Sequence, residues 1–188
     1  MGIKKIIITL ICVLLLVSVA GCSDQPKNAT LDDFYTITKN SDNKFDYTFE
    51  DKNGNILFEQ KDSVKSPRIR EVTPGVYELN TQTGTGLSTN WAVYCDTENS
   101  KTSEVFKYVL GAKDSFVVYA DYENKAHTIV VQNIFDKSHY CETYELKNES
   151  PKPEKVIYHC EFNDNGDFEV TYCTGENYTK TPVTIDIP

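Results

Sequence analysis

Hydrophobic and polar positions alternate with a period of two along most of this chain, in short runs separated by Gly, Pro, Asn and Asp. Phe45, Tyr47 and Phe49 interleave with Lys44, Asp46, Thr48 and Glu50, the pattern of a strand with one buried face. Asn53-Gly54 follows, a pair that accepts positive φ and marks a hairpin; a two-residue turn there sets Phe49 opposite Phe58. Pro67 and Pro74-Gly75 punctuate the next region. Val76–Thr81 and Trp91–Asp96 read as strands around a loop at Gly84-Thr85-Gly86. Thr97–Lys101 turns the chain, and Glu104–Leu110 returns with Val105, Lys107 and Val109 alternating. Phe116–Tyr122 and Thr128–Phe135 pair across Glu123–His127, Tyr140–Leu146 is the third member, and Val183–Ile187 supplies a last strand. Leu31–Thr38 reads two ways: Thr30 with Asp33 resembles a capping box, whereas Tyr35-Thr36-Ile37-Thr38 prefers a strand.

After the break at Ser150-Pro151-Lys152-Pro153, Val156–Phe162 and Phe168–Thr174 form the clearest hairpin. A two-residue Asn165-Gly166 turn would oppose Phe162 to Glu169 and mismatch the faces. A three-residue Asp164-Asn165-Gly166 loop, with Gly166 left-handed, instead sets Phe162 opposite Phe168 and Tyr158 opposite Tyr172. In that register Cys173 faces away from Cys160.

No convincing long helix appears, so the chain is expected to be an all-β antiparallel protein. From Val76, Phe116 and Val156 a strand-turn-strand unit recurs with a spacing of 40 residues, and Lys44–Gln60 fits a shortened first unit. Such a period suits a meander of short strands arranged as a β-sandwich, propeller-like, or as open stacked sheets.

Ahead of this pattern lies an apolar run, Ile6–Ala20, behind Lys4 and Lys5. It is too short and wrongly flanked for a membrane span. It ends in Val19-Ala20-Gly21-Cys22, which resembles the lipobox of bacterial lipoproteins. That resemblance implies cleavage before Cys22, a diacylglyceryl group on its sulfur, and attachment to the extracytoplasmic face of the cell membrane. Two acyl chains suffice for stable anchoring, at roughly 0.8 kcal/mol per buried CH₂. The domain organisation expected is a signal peptide over 1–21, a flexible tether over 22–30, and one all-β domain over 31–188.

Removing residues 1–21 takes two of the 19 basic residues and none of the 28 acids, leaving 17 against 28 and a charge of −11. Nucleic acid is therefore not an expected partner, because phosphate binding needs clustered Lys and Arg. Cys12 leaves with the apolar run. Beyond Cys22 stand Cys95, Cys141, Cys160 and Cys173, an even set that outside the membrane fits disulfides in any of three connectivities. No Cys-x-x-Cys pair occurs and no His stands at ligand spacing, so neither a metal nor another cofactor is implied.

Val131-Gln132-Asn133-Ile134-Phe135-Asp136-Lys137-Ser138 and Val170-Thr171-Tyr172-Cys173-Thr174-Gly175-Glu176-Asn177-Tyr178 resemble two segments of a group of secreted lipoproteins of Gram-positive bacteria. The resemblance covers about the last two-thirds of the chain. It departs at Cys173, where the group carries an aliphatic residue, so this cysteine fits a disulfide special to a few members. What the resemblance implies is location and β architecture, with no activity.

Candidate chemistry is thin. Asp51-Lys52-Asn53-Gly54-Asn55 mimics the start of a calcium loop, but Ile56 and Asp62 stand where an EF-hand needs Gly and Glu, and a hairpin turn is the better reading. Gly84-Thr85-Gly86-Leu87-Ser88 lacks the ending of a phosphate loop and the context of a nucleophile elbow. His127, His139 and His159 are scattered, each able to pair with a Cys or Asp only through the fold. Twelve tyrosines and Trp91 supply aromatic surface for a protein or carbohydrate partner, with Trp91 itself read as core beside Val93 and Cys95. The leading expectation is a lipid-anchored module that binds or scaffolds at the cell surface and is not an enzyme. The alternatives are an inhibitor of a cell-wall hydrolase, acting through an acidic loop such as Asn163–Asp167, and an enzyme with an unrecognised site.

Overall fold

The computed structural model describes residues 33–82, 84, 90–121, 128–147, 157–174, 177 and 179–188. Val19–Cys22, the tether, Thr85–Ser88, Glu123–His127, Ser150–Pro153 and Gly175-Glu176 lie outside them. Over the described residues the chain is all-β, with every strand pair antiparallel and no sheet closed into a barrel. Each sheet is built from strands consecutive in the chain. The first comprises β1 (Tyr35–Lys39), β2 (Phe45–Glu50) and β3 (Ile56–Ser63). The second runs β4 (Arg68–Thr73), β5 (Val76–Gln82), β6 (Asn90–Asp96) and β7 (Lys101–Thr102), with β8 (Phe106–Lys107) also on β6. The third holds β9 (Val109–Lys113), β10 (Phe116–Asp121), β11 (Thr128–Asn133) and β12 (Cys141–Glu145). The fourth is β13 (Ile157–Phe162), β14 (Phe168–Thr174) and β15 (Thr179–Ile185).

The sheets stack in chain order, because the inner ones are apolar on both faces. Phe34 and Phe49, beside and on the first sheet, pack on Tyr77 of the second with ring centroids 5.4 and 5.6 Å away. Val76, Ala92, Tyr94 and Phe106 of the second sheet share a core with Val109, Ala112 and Val117 of the third, joined by Ile134. Phe116, Val118, Ile129 and Val131 present the third sheet's other face to Phe168, Val170, Tyr172 and Ile185 of the fourth. Burial on both faces explains why β10 and β11 read as nearly continuous apolar runs while the outer strands alternate.

Three hairpins use one turn. Gly54 N–H donates to Asp51 O at 3.0 Å and Asp51 N–H to Asn55 O at 2.9 Å, with Gly54 at φ 80°. Asn163–Asp167 repeats this with Gly166 at φ 96°, and Asn40–Lys44 with Asn43 at φ 60°. In each, the Oδ1 of the first residue accepts two backbone N–H groups, from Asn53 and Asn55, from Asn165 and Asp167, and from Asp42 and Lys44. The loop expected at Asp164-Asn165-Gly166 is therefore present. The two-residue turn expected at Asn53-Gly54 is a three-residue loop instead; Phe49 still opposes Phe58 because a bulge between Phe49 and Glu50 restores the register.

Other expectations change. Phe162 faces Phe168, but a bulge at Tyr158 sets Ile157 opposite Tyr172 and leaves Tyr158 exposed. Arg68–Thr73, read only as a punctuated region, is a strand. Tyr35–Lys39 resolves as strand, and the last strand runs Thr179–Ile185 with Pro182 on an edge, where its missing N–H is harmless. Glu104–Leu110 is not one strand: β8 and β9 fall in different sheets on either side of Tyr108, which stands at φ 57°. The 40-residue spacing matches β5 to β10, each second in its sheet, but Ile157 begins the fourth sheet, so the units are sheets of unequal length.

Phe168 is fully buried and meets Phe162 edge-to-face with centroids 4.9 Å apart. Phe168→Ala should lower unfolding stability by about 3–5 kcal/mol, and Ile56→Ala, at a 62 % exposed position, should change it by less than about 0.5 kcal/mol. Urea titration checks both, with the midpoint moving and the slope unchanged.

Candidate functional site

The corner at Tyr108 is where the chain leaves the second sheet for the third. Its left-handed φ lets the backbone turn between ladders, and both of its main-chain groups are used: Tyr108 N–H donates to Asn90 O at 2.9 Å, and Tyr108 O accepts Ala120 N–H at 3.0 Å. Beside this corner lies a cleft of about 350 Å³, lined by Glu104, Val105, Phe106, Lys107, Tyr108, Tyr119, Ala120, Asp121 and Lys137.

A hydrogen-bonded chain organises the polar side chains. Tyr119 donates its hydroxyl proton to Gln132 Oε1 at 3.1 Å, and Gln132 Nε2 donates to Glu104 Oε1 at 3.0 Å. Gln132 is buried, so these bonds satisfy an amide that would otherwise destabilise the core. Burial, and then the neighbouring Cys141, Glu104 and Asp121, push the Tyr119 hydroxyl up to about 12, which keeps it a neutral donor near pH 7. Lys107 and Lys137 are exposed, and the ion pairs among the described residues involve neither. The cleft is thus lined by two ammonium groups, two carboxylates, two phenols and apolar wall from Val105, which is 53 % exposed.

The residues singled out in the sequence fall elsewhere. Asp51 caps its own turn and, through Ser100 Oγ, ties the β2–β3 turn to the β6–β7 turn; Lys52 pairs with Glu98 across the same junction. His159 lies 3.2 Å from Glu161 on the exposed face of β13, and His139 is exposed in the turn after β11. His127 lies outside the described residues, as does all of Gly84–Ser88 except Gly84. Trp91 is half-buried rather than core, opposite Lys107 across the β6–β8 pair. Asn163–Asp167 is a tight hairpin turn with Gly166 beside Lys113.

The four cysteines are free thiols, so the disulfides expected of Cys95, Cys141, Cys160 and Cys173 are not formed. Their places in the fold account for this. Cys95 is inside the second sheet, Cys141 is exposed on the edge strand β12 of the third, and Cys160 and Cys173 lie on opposite faces of the fourth. Burial pushes the Cys95 thiol up to about 12.

The cleft was missed because its walls come from β8, β10 and the turn after β11, which no local pattern links. One signal was available: Gln132 interrupts the apolar run Ile129-Val130-Val131. Lys137 also lies within the Ile134–Ser138 segment. Compared with known protein families, curated proteins and solved structures, the chain matches none of them.

Two outcomes follow. Iodoacetamide on the native protein, with sites mapped by mass spectrometry, should label Cys141 readily and Cys95 only after denaturation, because reactivity needs an accessible thiolate. The donors around Asp51, Ser100 first and Asn55 next, hold its carboxyl below the ordinary carboxylate range. A depressed folded value contributes stability above the unfolded value, about pH 4, and loses it as pH falls further. Wild type should therefore exceed Asp51→Asn in melting temperature at neutral pH, with the gap closing as acid titrates Asp51.

Proposed function

We propose that this chain is a lipid-anchored, extracytoplasmic β module that binds a small polar ligand at the cell surface. The observation that carries the binding half is the cleft at the Tyr108 corner. Strands β8 and β10 of two sheets supply part of its walls, it concentrates polar groups, and a buried amide fixes the orientation of two of them. Sites of this kind, concave with a few convergent polar groups, are where small molecules bind.

The location half rests on Lys4, Lys5, the apolar run and Val19-Ala20-Gly21-Cys22, with Cys22 as the acylated residue. The polar stretch Ser23–Thr30 would set the domain at a distance from the bilayer. An acidic protein held this way does not lie on an anionic lipid surface, since that requires basic clusters.

The anchor is tested by growing expressing cells with radioactive fatty acid. Label should enter the wild-type protein and be lost from Cys22→Ala, which should also leave the membrane fraction. An unlabelled mature protein, or unchanged labelling of Cys22→Ala, would refute acylation.

A further inference from the structure

Resting on the reading of this chain as a surface binding module, we propose that the cleft takes a short acidic saccharide, of one or two rings, carrying a single carboxylate. Size comes first. About 350 Å³ is at the small end of ligand sites, which span roughly 300–1,000 Å³. A folded protein partner would find little to insert there.

The backbone argues against an extended peptide. Peptides added to a sheet edge are held through main-chain donors and acceptors. At this corner Tyr108 N–H is bonded to Asn90 and Tyr108 O to Ala120 N–H, so the main chain at the corner is already engaged. Recognition falls to side chains. Tyr119 spends its proton on Gln132 and keeps lone pairs to accept; Glu104 has one oxygen on Gln132, and its other oxygen meets no donor among the described residues. Acceptors next to ammonium donors suit a ligand whose groups both donate and accept, as hydroxyls do. Val105 and the ring of Tyr119 offer apolar surface to the C–H face of a sugar.

Charge sets the acid count. The chain carries 28 acids against 19 basic residues, yet two lysines outside any described ion pair converge on this cleft. They call for an anionic group. Glu104 stands in the same cleft and would repel a multiply charged anion such as a polyphosphate, so one negative charge is the match for two ammonium groups beside one carboxylate.

Trp91, the single tryptophan, opposes Lys107 across the β6–β8 pair, so its fluorescence reports on the wall of the cleft. The full chain in detergent would be titrated with glucuronate, glucose and the dipeptide alanylglutamate, and binding confirmed by calorimetry. Glucuronate should bind about tenfold tighter than glucose, and the double variant Lys107→Gln/Lys137→Gln should remove most of that difference, each single variant a part of it. Circular dichroism of these exposed-site variants controls for folding. Glucose binding as tightly as glucuronate, tighter binding of the dipeptide, or glucuronate binding unaffected in the double lysine variant would each overturn the assignment. If no probe binds a chain that is acylated at Cys22, the saccharide site falls and the anchored module stands. Glucuronate binding to a chain that carries no lipid would leave the site and remove the anchor.

Discussion

The structure depends on a sheet that must be covered on both sides. In β10 the adjacent residues Val117 and Val118 point to opposite faces, and both are fully buried. Exposing either face would return apolar surface to water at about 25 cal/mol per Å². A second and a fourth sheet are therefore obligatory neighbours, and the stack follows. Close passage is part of the same constraint: a Cβ on Gly111 would come within 3.0 Å of Phe162 and 3.1 Å of Phe168. The fourth sheet seats so closely over β9 that a side chain at position 111 would force the two phenylalanine rings to shift by a few tenths of an ångström.

Turns hold neighbouring sheets in step. Asp51 and Lys52 in the first sheet reach Ser100 and Glu98 in the second, and Thr102 Oγ1 donates to Leu57 O at 2.8 Å. At the other end of the stack, Lys113 of the β9–β10 turn lies 5.9 Å from the Phe162 ring centroid, beside Gly166. Of these contacts the exposed Lys52–Glu98 pair is individually weak, whereas Asp51 is buried. Their effect is to fix the relative position of sheets whose cores are already joined.

What could be read in advance follows from this division. Alternation and apolar runs reported strands because each strand's burial is a local property of its own residues. The register of β13 on β14 near the turn was readable because Phe162, Phe168 and Gly166 are close in sequence. Beyond the turn it was not, since the bulge at Tyr158 serves packing against partners far along the chain. The same holds for Glu104–Leu110. Its alternation is real, but Tyr108 hands the chain to another sheet, so Val105 ends exposed and Val109 buried. The cysteines illustrate the limit most plainly: their even number suggested pairing, and only the assignment of each to a sheet and a face shows why they stay apart.

Two buried polar groups show how the fold and the candidate site are connected. Glu78 is 4 % exposed, yet Arg70 Nη2 lies 2.8 Å from it and Tyr94 donates its hydroxyl at 3.0 Å. Its carboxylate is engaged from within the second sheet, and the group serves packing. Gln132 is buried to the same degree, but its partners Tyr119 and Glu104 line an open cleft. A buried amide at the end of an apolar run departs from the rule that shapes the rest of the stack. An apolar residue would suit position 132 as core. The glutamine instead ties the doubly covered sheet to the Tyr119 phenol and the Glu104 carboxylate, so their positions in the cleft are set by the packing of the sheet behind them.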